Sequence, residues 1–166
     1  KSDADIGVIY TTHVKNDGWH GNSFNGEQSG TTGQNKHVEA LMLKLTGKDA
    51  DKYDIYYRVH AQNYGWLAWA KNGESAGTSG YAYRLEAIQI VVTAKGDMAP
   101  TVFYGGYTSN NAKAYISKTS TVPIINTNAS VRYQSHVSNI GWQSAVENGS
   151  LSGTTGRSLG LEAVKI

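Results

Sequence analysis

Apolar and polar residues alternate with a period of two along much of this chain, and no stretch carries a helical period. In the stretch from Tyr57 to Gln62, Tyr57, Val59 and Ala61 alternate with Arg58, His60 and Gln62. That spacing predicts a strand with His60 turned away from the less polar face. A second strand is predicted over Leu85–Val92, with Ile88, Ile90 and Val92 on one face. By parity Glu86 shares that face, as Glu39 does with Leu41, Leu43 and Leu45, and Glu162 with Val164 and Ile166. Between the strands, Asn72-Gly73 is a strong hairpin signal, because both residues accept positive φ. Gly77-Thr78-Ser79-Gly80 predicts a second turn.

The same pattern occurs three times. With each Gly-Trp tryptophan (Trp19, Trp66, Trp142) as origin, Tyr10, Tyr57 and Tyr133 stand at minus nine, and His13, His60 and His136 at minus six. Asn16, Asn63 and Asn139 follow at minus three, and the Asn-Gly pairs start at Asn25, Asn72 and Asn148. Gly30-Thr31, Gly77-Thr78 and Gly153-Thr154 come next, then Glu39, Glu86 and Glu162, each followed by Ala. No gap is needed within a copy, which excludes chance. The copies span about 4–47, 48–95 and 127–166, and an insertion at about 96–126 separates the second from the third. The insertion carries both prolines of the chain. Its stretch Thr101–Tyr107 could form a strand, and the Ser, Thr and Asn around it suggest a linker or surface excursion.

Composition narrows the function classes. The 15 basic and 13 acidic residues nearly balance, so neither a nucleic-acid partner nor a charged tail is implied. No apolar run is long enough to span a membrane. With 0 Cys there is no disulfide scaffold, so core and sheet pairing must hold the fold. The chain shows no leader peptide and starts and stops abruptly, which suggests an excised piece of something longer.

The string His-x-x-Asn-x-Gly-Trp, then Asn-Gly, then Gly-Thr-x-Gly, then Leu-Glu-Ala resembles the clostridial hydrophobic repeat with its characteristic Trp, the ChW family. The second copy is the fullest match. The first and third depart where Arg84 is replaced by His37 and Gly160. The resemblance implies a secreted or surface-attached module of Gram-positive anaerobes, one that binds a polysaccharide or the cell surface.

Each repeated residue has a structural and a functional reading. The tryptophans could anchor a core that recurs because the fold recurs, or present stacking platforms for sugar rings. A Glu in phase with Ile and Val must be paired, with the His, a Tyr hydroxyl or a turn N–H as partner, and so reads as a structural brace. A catalytic Glu–His pair is disfavoured, because no nucleophile elbow or second repeated carboxylate accompanies it. His13, His60 and His136 could converge as metal ligands, but solvated or hydrogen-bonded imidazoles fit their parity better. Asp49, Asp51 and Asp54 lack the glycine and closing Glu of a calcium loop and read as a polar turn. Neither a metal nor a cofactor is expected. Specificity is sought where copy two departs from the symmetry, at Trp69, Tyr81, Tyr83 and Arg84, together with Asn72.

A copy of this size is too small to fold alone. Three antiparallel sheets about a pseudo-threefold axis bury the three apolar faces together. The expected fold is therefore all-β and β-prism-like, with the tryptophans near the axis; a β-trefoil is the alternative and a linear array a third arrangement. The expected function is a non-catalytic, lectin-like module that binds glycan or cell-wall polysaccharide through Trp19, Trp66 and Trp142, the three His, and the copy-two residues. The alternative is an adhesion module tethering other extracellular protein domains.

Overall fold

The structure is a computed structural model that describes residues 5–100, 111–118 and 131–166. The first copy contributes β1 (Gly7–Val14), β2 (Gly18–Trp19), β3 (Ser23–Phe24), β4 (Ser29–Gly30) and β5 (Val38–Thr46). The second contributes β6 (Tyr53–Ala61), β7 (Gly65–Trp66), β8 (Ala70–Lys71), β9 (Ala76–Ser79) and β10 (Leu85–Ala94). After β11 (Tyr115–Ser117), the third gives β12 (Arg132–Val137), β13 (Gly141–Trp142), β14 (Val146–Glu147), β15 (Ser152–Gly153) and β16 (Leu161–Lys165). The fold is all-β, with three separate open sheets in a pseudo-threefold, β-prism-like arrangement, unlike the single barrel of a β-trefoil. Among the described residues no helix is long and apolar enough to cross a membrane.

Each sheet is built on one long antiparallel pair, β1 with β5, β6 with β10, and β12 with β16. The Gly-Thr segment, expected as a turn, is instead a short strand given to the neighbouring copy. β4 pairs with β16, β9 with β5, and β15 with β10. Copy one thus donates to copy three, two to one and three to two, which closes the ring and excludes a linear array. The donated glycine is required. A Cβ at Gly30, Gly77 or Gly153 would lie 2.6, 2.4 or 2.4 Å from the backbone oxygen of Glu162, Glu39 or Glu86, with φ of +101°, +125° and +119°. The insertion is more than a linker, since its β11 runs parallel to β9 and extends the first sheet. The expected strand at Thr101–Tyr107 lies outside the described residues.

Three tyrosines tie the ring together from inside. Tyr10, Tyr57 and Tyr133 are buried in a core with Leu43, Leu45, Ile88, Ile90, Val164 and Ile166. Each hydroxyl donates to a carbonyl of its own hairpin, at Glu27, Glu74 and Ser150. Each also accepts from the next copy's return strand, at Ile166, Leu43 and Ile90. The donated strands cover only two residues of those edges, such as Ala40 and Leu41 on β5. The tyrosine hydroxyl satisfies the next donor along the edge. Burial, opposed by these hydrogen bonds, leaves the hydroxyls of Tyr10 and Tyr57 harder to ionise than usual.

Two expectations need correction. The tryptophans are not at the axis: each pairs across the strands with a His, Trp19 with His13, Trp66 with His60 and Trp142 with His136, away from the core cluster. Nor does Glu lie on the apolar face. His13 faces Ala40 and Val14 faces Val38, so Glu39 is an extra residue in a bulge. Glu86 and Glu162 sit in the same bulge. The bulge shifts the alternation by one, keeping Val38 and Leu41 both in the core while Glu39 turns to the His face.

Candidate functional site

The bulge, the His strand and the Gly-Trp strand together build one polar unit per copy. Glu39 Oε2 lies 3.1 Å from His13 Nδ1, Glu86 Oε2 3.2 Å from His60 Nδ1, and Glu162 Oε2 3.1 Å from His136 Nδ1. The indole then meets the imidazole edge to face, with ring centroids 5.4 Å apart for Trp19, 5.5 Å for Trp66 and 5.4 Å for Trp142. Each His is engaged by its own copy's Glu and Trp rather than converging with the other two. The other carboxylate oxygen differs among copies. Glu39 Oε1 has His37 Nε2 at 3.6 Å, and Glu86 Oε1 accepts from Arg84 Nη2 at 2.9 Å. Burial alone would raise the Glu39 carboxyl, but the imidazoles of His13 and His37 outweigh it and hold its pKa at about 2.

Two of these units, those of copies one and three, open into grooves at the seams between copies. At the seam of copies one and two, His13, Asn16, Gly18 and Glu39 face Ser79, Gly80 and Ala82 across about 340 Å³. At the seam of copies three and one, His136, Ser138, Asn139 and Glu162 face Gly33 and Asn35 across about 600 Å³. The Asn residues turn the chain here with φ of 67° at Asn16, 64° at Asn139 and 53° at Asn35. Asn tolerates this left-handed region better than most residues. The grooves therefore combine amide, imidazole and carboxylate groups with nearby backbone, a set suited to hydrogen-bonding a polyol.

The residues peculiar to copy two divide into separate places. Tyr81 and Tyr83 stack at 5.7 Å, and Tyr64 meets them edge on at 6.3 and 5.7 Å. Lys118 Nζ from the insertion caps Tyr81 at 4.7 Å. Trp69 lies elsewhere. The buried guanidinium of Arg58 is within 4.7 Å of the Trp66 ring centre and 4.9 Å of the Trp69 ring centre, and its Nε donates to Gln89 Oε1 at 2.7 Å. Trp66 is accordingly buried, whereas Trp19 and Trp142 are half-exposed, with Lys165 Nζ 4.5 Å from the Trp142 ring. Asn72 is a hairpin residue, its Oδ1 accepting from Ile55 N at 2.9 Å as Asn25 does from Val8 N at 2.8 Å. Arg84 is held by Glu86.

Asp54 does not belong to an acidic loop. It is buried in β6, 2.8 Å from Lys71 Nζ and 3.1 Å from Lys95 Nζ, and accepts from Asn72 Nδ2 at 2.7 Å. Burial would raise its pKa, but Lys71, Asn72 and Lys95 outweigh that and lower it.

Sequence reasoning missed Asn35, His37 and Arg58. Asn35, Ala82 and Ser158 hold the same place in the three copies with φ of 53°, 56° and 53°. Their side chains share no chemistry, so no repeated letter marked the position. Asn16 and Asn139 did carry a signal, as the repeated Asn of the His-x-x-Asn string.

The family model described as Clostridial hydrophobic W, ChW, matches residues 13–47, 60–94 and 136–166. Each match starts at the His that pairs with Glu and Trp. No curated protein and no solved structure matches the chain.

Proposed function

This chain belongs to the clostridial hydrophobic W family, and from that premise we propose that it is a non-catalytic module binding cell-wall or cell-surface polysaccharide outside the cell. The observation that carries this reading is the seam groove found twice, in which a Glu–His pair and an Asn line a cleft and the same His packs against a half-exposed Trp. Sugar hydroxyls need such mixed donors and acceptors, and a pyranose presents an apolar C–H face to an aromatic ring. Repetition suits weak sites, because linked sites raise avidity without new contacts.

The test uses purified cell-wall polysaccharide, titrated calorimetrically and by tryptophan fluorescence. Asn35→Gly with Asn139→Gly removes two groove amides at positions where glycine keeps the backbone unstrained. Binding should weaken at least about tenfold with Tm unchanged. Absence of binding by the unaltered chain, here and on a glycan array, would overturn the reading. A second reading rests on the Tyr64, Tyr81 and Tyr83 patch with Lys118, which suits a protein contact in an adhesion module. Tyr81→Ser would then abolish partner capture and leave polysaccharide binding intact.

A further inference from the structure

The three copies are not equivalent at the carboxylate. Glu39 has His37 beside its second oxygen, and Glu86 has Arg84. The corresponding residue of copy three is Gly160, and Glu162, buried like the others, meets no cation besides His136 among the described residues. The Arg84 stem fills the place of the missing side chain. A Cβ built on Gly160 would lie 2.8 Å from Arg84 Cδ and 3.4 Å from His37 Cβ, so the three equivalent positions converge there. Beside it lies a cavity of about 190 Å³, bounded by Glu162, Asn35, Ser138 and Ser158 and by the basic residues Lys36, His37 and Arg84. It shares Asn35, Ser138 and Glu162 with the larger of the two seam grooves.

The geometry points to this seam as the one that selects its ligand, with a primary ammonium of an amino sugar taking the place that His37 and Arg84 fill in the other copies. Glu162 supplies the charge-assisted acceptor. Ser138 Oγ, which accepts from Gly160 N at 3.0 Å, and the Asn35 and Ser158 oxygens offer further acceptors. The basic residues around the cavity each face a carboxylate of their own, Arg84 with Glu86, Lys36 Nζ with Asp17 at 2.8 Å and His37 Nε2 with Glu39 at 3.6 Å, which leaves Glu162 as the acid without one of them. Arg84 Nε is buried without a hydrogen-bond partner. An oxygen next to the amine, such as a vicinal sugar hydroxyl, would satisfy it. An amine with a neighbouring hydroxyl describes a 2-amino sugar better than a simple alkylamine.

This inference rests on the glycan reading, and the experiment separates the two. Calorimetric titration compares a glucosamine tetramer, its N-acetylated counterpart, a neutral glucan and lysinamide. The free amino sugar should bind at least about tenfold more tightly than the other three. Gly160→His supplies the copy-one side chain in place of the ligand, and Arg84 Cδ, 2.8 Å from the new Cβ, has to shift to admit it. It should abolish the preference while keeping the fold, judged by tryptophan emission and Tm. Glu162→Gln should reduce it by a similar factor. Equal binding of the N-acetylated or neutral sugar overturns the ammonium assignment but leaves the glycan reading standing. Equal binding of lysinamide overturns the assignment to a sugar. A preference unchanged in Gly160→His overturns the location. Failure of every sugar overturns both readings.

Discussion

Replacing Tyr57 by Phe removes one oxygen from the centre of the core and leaves the ring volume in place. That oxygen donates to Glu74 O and accepts from Leu43 N, joining copy two to copy one. β9 covers β5 only at Ala40 and Leu41, so no strand takes over the Leu43 donor. A buried N–H left without a partner costs about 1–3 kcal/mol, and the lost bond to Glu74 about 0.5–1.5 kcal/mol more. The expected loss is therefore about 1.5–4.5 kcal/mol, a large share of the roughly 5–15 kcal/mol that holds a domain. Urea denaturation would read it as a lower midpoint with an unchanged slope. Native-state hydrogen exchange adds a local readout, because the Leu43 amide should exchange faster than its neighbours on β5. Tyr10→Phe and Tyr133→Phe should behave alike, with Ile166 and Ile90 as the reporting amides. A loss under about 0.5 kcal/mol with Leu43 still protected would refute the idea that these hydroxyls brace the ring.

Gly77→Ala forces a Cβ to 2.4 Å from Glu39 O at a φ of +125°, so it should cost about 3 kcal/mol or more and speed exchange across Ala76–Ser79; a variant within 1 kcal/mol of the parent by urea titration would count against strand donation. Glu39 has its pKa depressed from 4.5 to about 2, so its contribution, at most about 3 kcal/mol, is present above pH 4.5 and lost as pH falls from there towards 2. Thermal melts should show this decline in the parent and a flatter one in Glu39→Gln; parallel curves would refute the link. Arg58→Lys keeps the charge but loses the planar stack on Trp66 and Trp69, which should cost about 1–3 kcal/mol and red-shift tryptophan emission; unchanged emission would contradict the stacking.

Much of the architecture is legible because it repeats. Period-two alternation marks the long strands, and Asn-Gly marks the hairpins, since these are local properties of backbone and side chain. The three His-Asn-Trp-Glu strings fix three equivalent units, and a unit of that size must share its core with the others. The candidate site was half visible by the same logic: its His, Glu and Trp recur as letters.

The remainder depends on contacts between copies, which no single stretch encodes. Parity placed Glu86 on the apolar face, and a one-residue bulge, set by how β6 and β10 pair, moved it to the other. Gly77-Thr78 has a turn composition, yet it is a strand because the neighbouring backbone comes too close for any side chain but hydrogen. Asn35 and Gly160 have no repeated identity, so only their convergence with Glu162 and Arg84 across the seams gives them a role. The sequence by itself determined strands, hairpins and threefold repetition, because these follow from local periodicity. The tertiary structure alone decided that the ring closes by exchanging strands, and that one carboxylate of three is left open, because both depend on which backbone edges meet across the axis.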